Sequence, residues 1–255
     1  MKIFFDKKQV NALDDVFACY STHEFESPTR STVPLLSLLQ DASATKTLLQ
    51  KLDLNDESLN AHLEYQVRPS KGDGKASHTD LMLIQNGNSV AIEAKWTEPP
   101  YDSVEKWVQK GARPKNRREV LRGWIDYLQR HTDRTLDAAA FGTATYQIVH
   151  RAASACAACD AGGRPSLGYI QFSPLPTGVA PDVKLLETGL SNLFHLLGAP
   201  AAFPFFLIEV TAEPTAAFEG ISKLSRGLPE TAKAVCTALR SGPLFKFTNF
   251  RVSLV

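Results

Sequence analysis

Asn86-Gly87 is the pair of residues that most constrains how this chain can fold. It stands between two apolar runs, Asp80–Ile84 and Val90–Ala94. A type I′ turn needs positive φ at both central positions, which Asn and Gly tolerate best, so the spacing predicts a β-hairpin turning there. Gln85 then faces Asn88, Asp80 is expected opposite Glu93, and His78 opposite Lys95. Side chains alternate along a strand, so Asp80, Glu93 and Lys95 share one face. Facing like charges weaken a sheet, and crowded carboxylates raise each other's pKa. A bound divalent cation would remove both penalties, which makes this patch the candidate active site.

The plain alternative is an edge hairpin with Glu93 and Lys95 in solvent. Val90, Ala91 and Ile92 argue against it, because they put apolar side chains on both faces of the strand. Such strands belong to a sheet covered by helices on both sides.

Asp80 followed, after twelve residues, by Glu93-Ala94-Lys95 resembles the motif of the PD-(D/E)xK phosphodiesterase superfamily. Thr79 stands where that superfamily usually has proline. The resemblance spans about residues 20–160 and implies an αβββαβ-like, restriction-endonuclease-like core. It further implies that Asp80, Glu93 and the Ala94 carbonyl hold Mg²⁺, with Mn²⁺ as a substitute. Lys95 would orient or help deprotonate the attacking water, as a lysine of lowered pKa beside the metal. A further glutamate often comes from ahead of the sheet. Glu26 is the first candidate, with Glu24 and Glu64 behind it. Some members also place a glutamine and a tyrosine on the helix after the third strand, a role open to Tyr146-Gln147. The activity implied is metal-dependent hydrolysis of DNA phosphodiester bonds, related to restriction or repair. The alternative is a non-catalytic nucleic-acid-binding or scaffold module that keeps the fold.

The rest of the chain reads as one α/β domain over residues 1–255: a mixed central sheet flanked by helices, with the core at about 20–175 and a C-terminal elaboration at about 176–255. A strand is expected at Lys2–Phe5 and a helix at Val10–Tyr20. Ser31 or Thr32 can cap a helix with Pro34 in its first turn, and Arg30 with Ser31 and Thr32 could contact phosphate there. Another helix is expected at Lys46–Leu52. His62–Arg68 alternates, placing Leu63, Tyr65 and Val67 on one face. Pro69–Ser77 is a polar loop carrying Lys71 and Lys75. Glu98-Pro99-Pro100 should stop the third strand. Val104–His131 reads as helical with a break near Gly111 to Pro114. Later elements are expected at Ala144–Cys159, Leu167–Phe172, Val183–Leu197, Phe203–Val210, Gly220–Arg226, Glu230–Arg240 and Leu244–Leu254.

A net charge of +1 excludes a globally basic coat for nucleic acid. It conceals a local excess between Lys106 and Arg134, where nine Lys and Arg residues are opposed only by Glu105, Glu119, Asp126 and Asp133, with Trp107, Trp124 and Tyr127 interleaved. Such a segment can track a phosphate backbone; the plain alternative is a solvated helix face with Trp124 and Leu128 in the core. DNA is the expected partner, with a homodimer left open. Four cysteines are too few for a disulfide scaffold. Cys156 and Cys159 form a lone C-x-x-C inside a helix and read as small buried side chains. Met1–Val10 lacks the apolar run of a signal peptide, and Phe194–Val210 is too interrupted to span a membrane. A cytoplasmic protein is expected.

Overall fold

The computed structural model describes residues 1–99, 101–110, 112–176, 178 and 182–255. Pro100 and Gly111, two of the expected breaks, lie outside the described residues. The chain opens with β1 (Lys2–Phe5), β2 (Lys8–Val10), α1 (Leu13–Phe17), α2 (Thr32–Gln40) and α3 (Ala42–Lys51). The next part holds β3 (Asn60–Val67), β4 (Ser77–Gln85), β5 (Asn88–Lys95), α4 (Val104–Gln109), α5 (Pro114–Leu128) and α6 (Tyr146–Ala158). The last third contributes β6 (Pro165–Ser173), α7 (Val183–Leu196), β7 (Phe205–Pro214), α8 (Ala216–Ile221), α9 (Pro229–Ser241) and β8 (Phe245–Leu254).

All eight strands form one sheet in the order β2-β1-β3-β4-β5-β6-β7-β8. β1 runs parallel to β3, β5 to β6 and β6 to β7; the other neighbours are antiparallel. The sheet is therefore mixed, and each face is covered. On one face α1, α2, α3, α8 and α9 bury Val16, Leu36, Leu48, Phe218 and Val235 against Leu63, Leu81, Ile92 and Ile170. On the other, α4 to α7 bury Val104, Trp124, Ile148 and Leu190 against Met82, Ala91, Leu167 and Leu207. Apolar side chains on both faces of β4 and β5 follow from this two-sided cover. No helix among the described residues is long and apolar enough to cross a membrane.

Three expectations are corrected. The helix expected over Val10–Tyr20 is shorter, because Asp6 adopts φ 51° and turns the chain into β2 first. Asp is one of the few residues that takes this left-handed conformation readily. The helix expected over Gly220–Arg226 lies upstream, at α8. In β3, Leu63 does not share a face with Tyr65 and Val67: Leu63 packs into the first core, the other two into the second. Glu64, at φ 53°, breaks the pleat between them.

The polar loop before β4 is docked on α5. Ser70 Oγ donates to Gly123 O (3.1 Å) and Asp126 Oδ2 (2.7 Å). Asp73 and Asn116 exchange two hydrogen bonds, of 2.8 and 2.9 Å. A Cβ on Gly123 would stand 2.5 Å from Lys71 N, so only glycine permits this approach.

Candidate active site

Asn86 and Gly87 take φ 51° and 77°, as a type I′ turn requires. The β4–β5 ladder runs from Gln85–Asn88 to Leu81–Ile92 in the register set by that turn. It goes no further. Below that pair β4 stays with β3, through Thr79–Tyr65 and His78–Gln66, while β5 stays with β6, through Glu93–Tyr169 and Lys95–Gln171. The expected ladder pairs Asp80–Glu93 and His78–Lys95 are therefore replaced by a fork. Asp80 turns its carboxylate into it, and Oδ2 accepts the Ala94 backbone N–H at 2.8 Å. His78 is directed elsewhere, with Nδ1 3.5 Å from Glu64 Oε2.

Glu93 is buried and fully engaged. Oε1 accepts from Lys95 Nζ at 3.0 Å and from Gln147 Nε2 at 2.6 Å, and Oε2 accepts from Arg151 Nε. Arg151 Nη1 also donates to Ser77 Oγ at 2.5 Å, and Ser154 Oγ reaches the same hydroxyl at 3.2 Å. Gln147, Arg151 and Ser154 follow the i, i+4, i+7 spacing, so one stripe of α6 faces the fork. Burial would raise the Glu93 pKa, but Arg151 and Lys95 overcome it and hold the carboxyl below its usual range.

Asp80 lies on the other side of that balance. Burial, then the Glu93 charge, pushes its pKa well up, with Glu64 adding to the effect and Arg151 and Lys95 opposing it. Glu64 stands across from Asp80, between the pairs Leu63–Leu81 and Tyr65–Thr79. Burial tends to lower the Lys95 pKa, but Glu93 and Asp80 more than compensate, so Lys95 titrates above its ordinary value. Without a metal beside it, two carboxylates keep Lys95 a cation. Its ammonium also sits 4.8 Å from the centre of the Tyr101 ring.

The residues that sequence reasoning gathered are thus divided. Asp80, Glu93, Ala94 and Lys95 come together. Glu26 caps a turn of 3₁₀ helix at Thr22–Phe25 and binds His23 Nδ1 at 2.7 Å. It is absent from the charges acting on Asp80, where Glu64 appears instead. Glu24 holds Arg30 at 2.6 Å. The α2 N-terminus, expected to be free for phosphate, is capped by Glu98, whose Oε1 accepts the Ser31 N–H at 2.7 Å. Cys156 and Cys159 are free thiols, the first buried.

Arg151 and Tyr169 are the residues missed. Arg151 was legible as part of the polar Gln147–Arg151–Ser154 stripe in an Ala-rich helix. Tyr169 carried no such signal; it lies beside Glu93 through strand pairing. Its hydroxyl is buried and, like those of Tyr20 and Thr79, has no hydrogen-bond partner among the described residues. A cavity of about 260 Å³ opens beside it, lined by Lys95, Tyr101, Gln147, Tyr169 and Gln171 among others.

Asp80, Glu93 and the Ala94 carbonyl supply the oxygen donors a hard cation prefers. Burial and the Glu93 charge make the Asp80 carboxyl resist ionisation, a penalty that a bound cation would relieve. Among the described residues, however, no three His, Cys, Asp or Glu side chains are grouped to hold a metal. The donors fit Mg²⁺ in kind, and a cation there must share Glu93 with Arg151 and Lys95.

No curated protein and no solved structure gives a significant match to this chain. One family does: residues 9–174, the part that contains Asp80, Glu93, Lys95, Gln147 and Arg151, match the Domain of unknown function (DUF6946), and the chain belongs to that family.

Proposed function

We propose that the protein is a metal-dependent nuclease of the PD-(D/E)xK type, built on a restriction-endonuclease-like core and hydrolysing DNA phosphodiester bonds. The observation that carries this reading is the fork, where Asp80 accepts the Ala94 N–H and Glu93 and Lys95 share the adjoining face. Asp80, Glu93 and the Ala94 carbonyl are the residues to hold Mg²⁺ or Mn²⁺. When bound, such an ion lowers the pKa of a coordinated water and offsets charge on a phosphate.

The chain's own side chains supply the rest. Lys95, kept cationic by Glu93 and Asp80, is suited to bind a phosphate oxygen and orient a water beside it. Gln147 and Arg151 fix the Glu93 carboxylate by hydrogen bonds, so the acid is held in one orientation. Arg151 adds a second positive charge to a site whose substrate is an anion.

One observation favours a second reading. Both Glu93 oxygens are taken by Arg151, Lys95 and Gln147, as they would be in a nucleic-acid-binding module that keeps the fold without the metal. Calorimetric titration with Mn²⁺, alone and with a DNA oligonucleotide, separates the two. The nuclease reading expects Mn²⁺ uptake that Asp80→Asn abolishes. Uptake undetectable in either condition supports the binding module.

A further inference from the structure

A cavity of about 480 Å³ is lined by Arg151 but not by Glu93, and it is well within the size range of small-ligand sites, roughly 300–1,000 Å³. Its walls include Lys75, Trp107, Arg117, Tyr146, His150 and Arg151. Two kinds of chemistry meet in it. Trp107 and Tyr146 stack face to face, with ring centres 3.6 Å apart and planes within 10°. The Arg117 guanidinium lies 5.0 Å from the Trp107 ring centre. Lys75, Arg117 and Arg151 bring positive charge, and Asp73 is the only carboxylate lining the cavity among the described residues. Neither Lys75 nor Arg117 forms an ion pair with a described residue.

An aromatic wall beside cations that have no carboxylate partner among the described residues suits a ligand that is planar at one end and anionic at the other, which is the chemistry of a nucleotide. Arg151 links the cavity to the proposed catalytic fork. Arg151 lines the one and donates to Glu93 in the other, and Ser77 and His78 of its wall precede Asp80 on β4. A base inside a duplex is stacked between its neighbours and cannot enter a concave site without leaving the helix.

Building on the nuclease reading, we infer that this cavity binds one unpaired nucleotide next to the scissile phosphate, its backbone phosphate at Lys75 and Arg117 and its base against the Trp107–Tyr146 wall. The substrate class is then single-stranded or frayed nucleic acid. The basic segment noted in the sequence contributes through Arg117, while Trp124 of the same segment is buried beneath the wall.

The test is binding without divalent cation, followed by fluorescence anisotropy of a labelled single-stranded oligonucleotide and of the same sequence as a blunt duplex. The single strand should bind at least about tenfold more tightly, the scale of one base–aromatic stack. Lys75→Ala and Arg117→Ala should each lower the slope of log affinity against log salt by about 0.7, the value for one phosphate contact on a single strand. Lys75 is exposed and unpaired, so its substitution leaves the fold intact even if Arg117→Ala does not. Binding should also quench tryptophan fluorescence, and Trp107→Phe should remove most of the quench, since Trp96 lies outside the cavity and Trp124, though it lines the cavity, is buried. Equal affinity for the duplex, or salt slopes unchanged in both variants, overturns the inference. If the wild type then still cleaves DNA with Mg²⁺, the nuclease reading survives that result. A wild type that neither binds nor cleaves any nucleic acid overturns both.

Discussion

The Asp80 carboxylate accepts the backbone N–H of Ala94 at 2.8 Å, joining the first acid of the site to the strand that carries the second. Ala94 is buried, so its N–H has no water to turn to if that acceptor is lost. Asp80→Ala should destabilise the metal-free protein by about 1–3 kcal/mol, the range for an unsatisfied buried donor. Asp80→Asn keeps an acceptor and removes the like charge beside Glu93. It should be at least as stable as the wild type in urea titrations with chelator present.

Arg151 and Glu93 form a buried pair. Removing one partner leaves an uncompensated buried charge, so Arg151→Ala should cost about 3–5 kcal/mol. Arg151→Lys restores the charge without the planar fork of donors and should fall between the two. Mg²⁺ should recover part of the alanine variant's loss by taking over the unpaired Glu93 charge, which chemical denaturation with and without the ion will show.

His150 gives the expected pH dependence. Its Nδ1 lies 2.9 Å from Ser77 Oγ, and Trp124, Tyr146 and Arg151 surround the ring. Burial, then the Arg151 and Lys95 charges, holds its pKa well below the ordinary 6.5. The unfolded chain therefore binds the proton more readily than the folded one. This contribution is complete above pH 6.5 and is lost as pH falls toward the folded value. Stability of His150→Gln should fall less steeply than that of the wild type below pH 6.5, by up to about 1.4 kcal/mol per pH unit. Comparing the two proteins cancels the opposite trend from Asp80, whose raised pKa disfavours the fold as pH rises.

Gly123 controls how the loop bearing Lys75 is seated. A methyl group there would meet Lys71 N at 2.5 Å and Lys71 O at 2.8 Å, both backbone atoms that cannot move alone. Gly123→Ala should cost about 1–3 kcal/mol, as overpacking does. Hydrogen exchange should quicken at Asp73, whose N–H is held by Asn116.

The hairpin was legible because its determinants are local. Asn86-Gly87 dictates the turn, the turn dictates the register, and the register puts Asp80, Glu93 and Lys95 on one face. The fork was not legible, because it depends on β3 and β6 competing for the ends of β4 and β5. The approach of Glu64 to Asp80 is hidden for a similar reason: it comes from strand pairing and a left-handed backbone angle, which alternation of apolar residues does not reveal. The polar stripe marks Arg151 on one face of α6, but its partner Glu93 lies 58 residues away, a distance over which spacing does not name the partner. The low pKa expected of Lys95 is tied to a metal beside it; without one, two carboxylates outweigh burial and raise it.

The most direct measurement of the central claim is cleavage. Plasmid, linear duplex and single-stranded DNA are incubated with Mg²⁺ or Mn²⁺ beside the Lys95→Ala variant and a chelator control. The account expects metal-dependent cutting of at least one substrate, abolished by chelator and reduced by about a hundredfold or more in Lys95→Ala, the scale of a lost positioned proton-transfer or electrostatic group. No cutting of any substrate with either metal, or equal cutting by the variant, would contradict it.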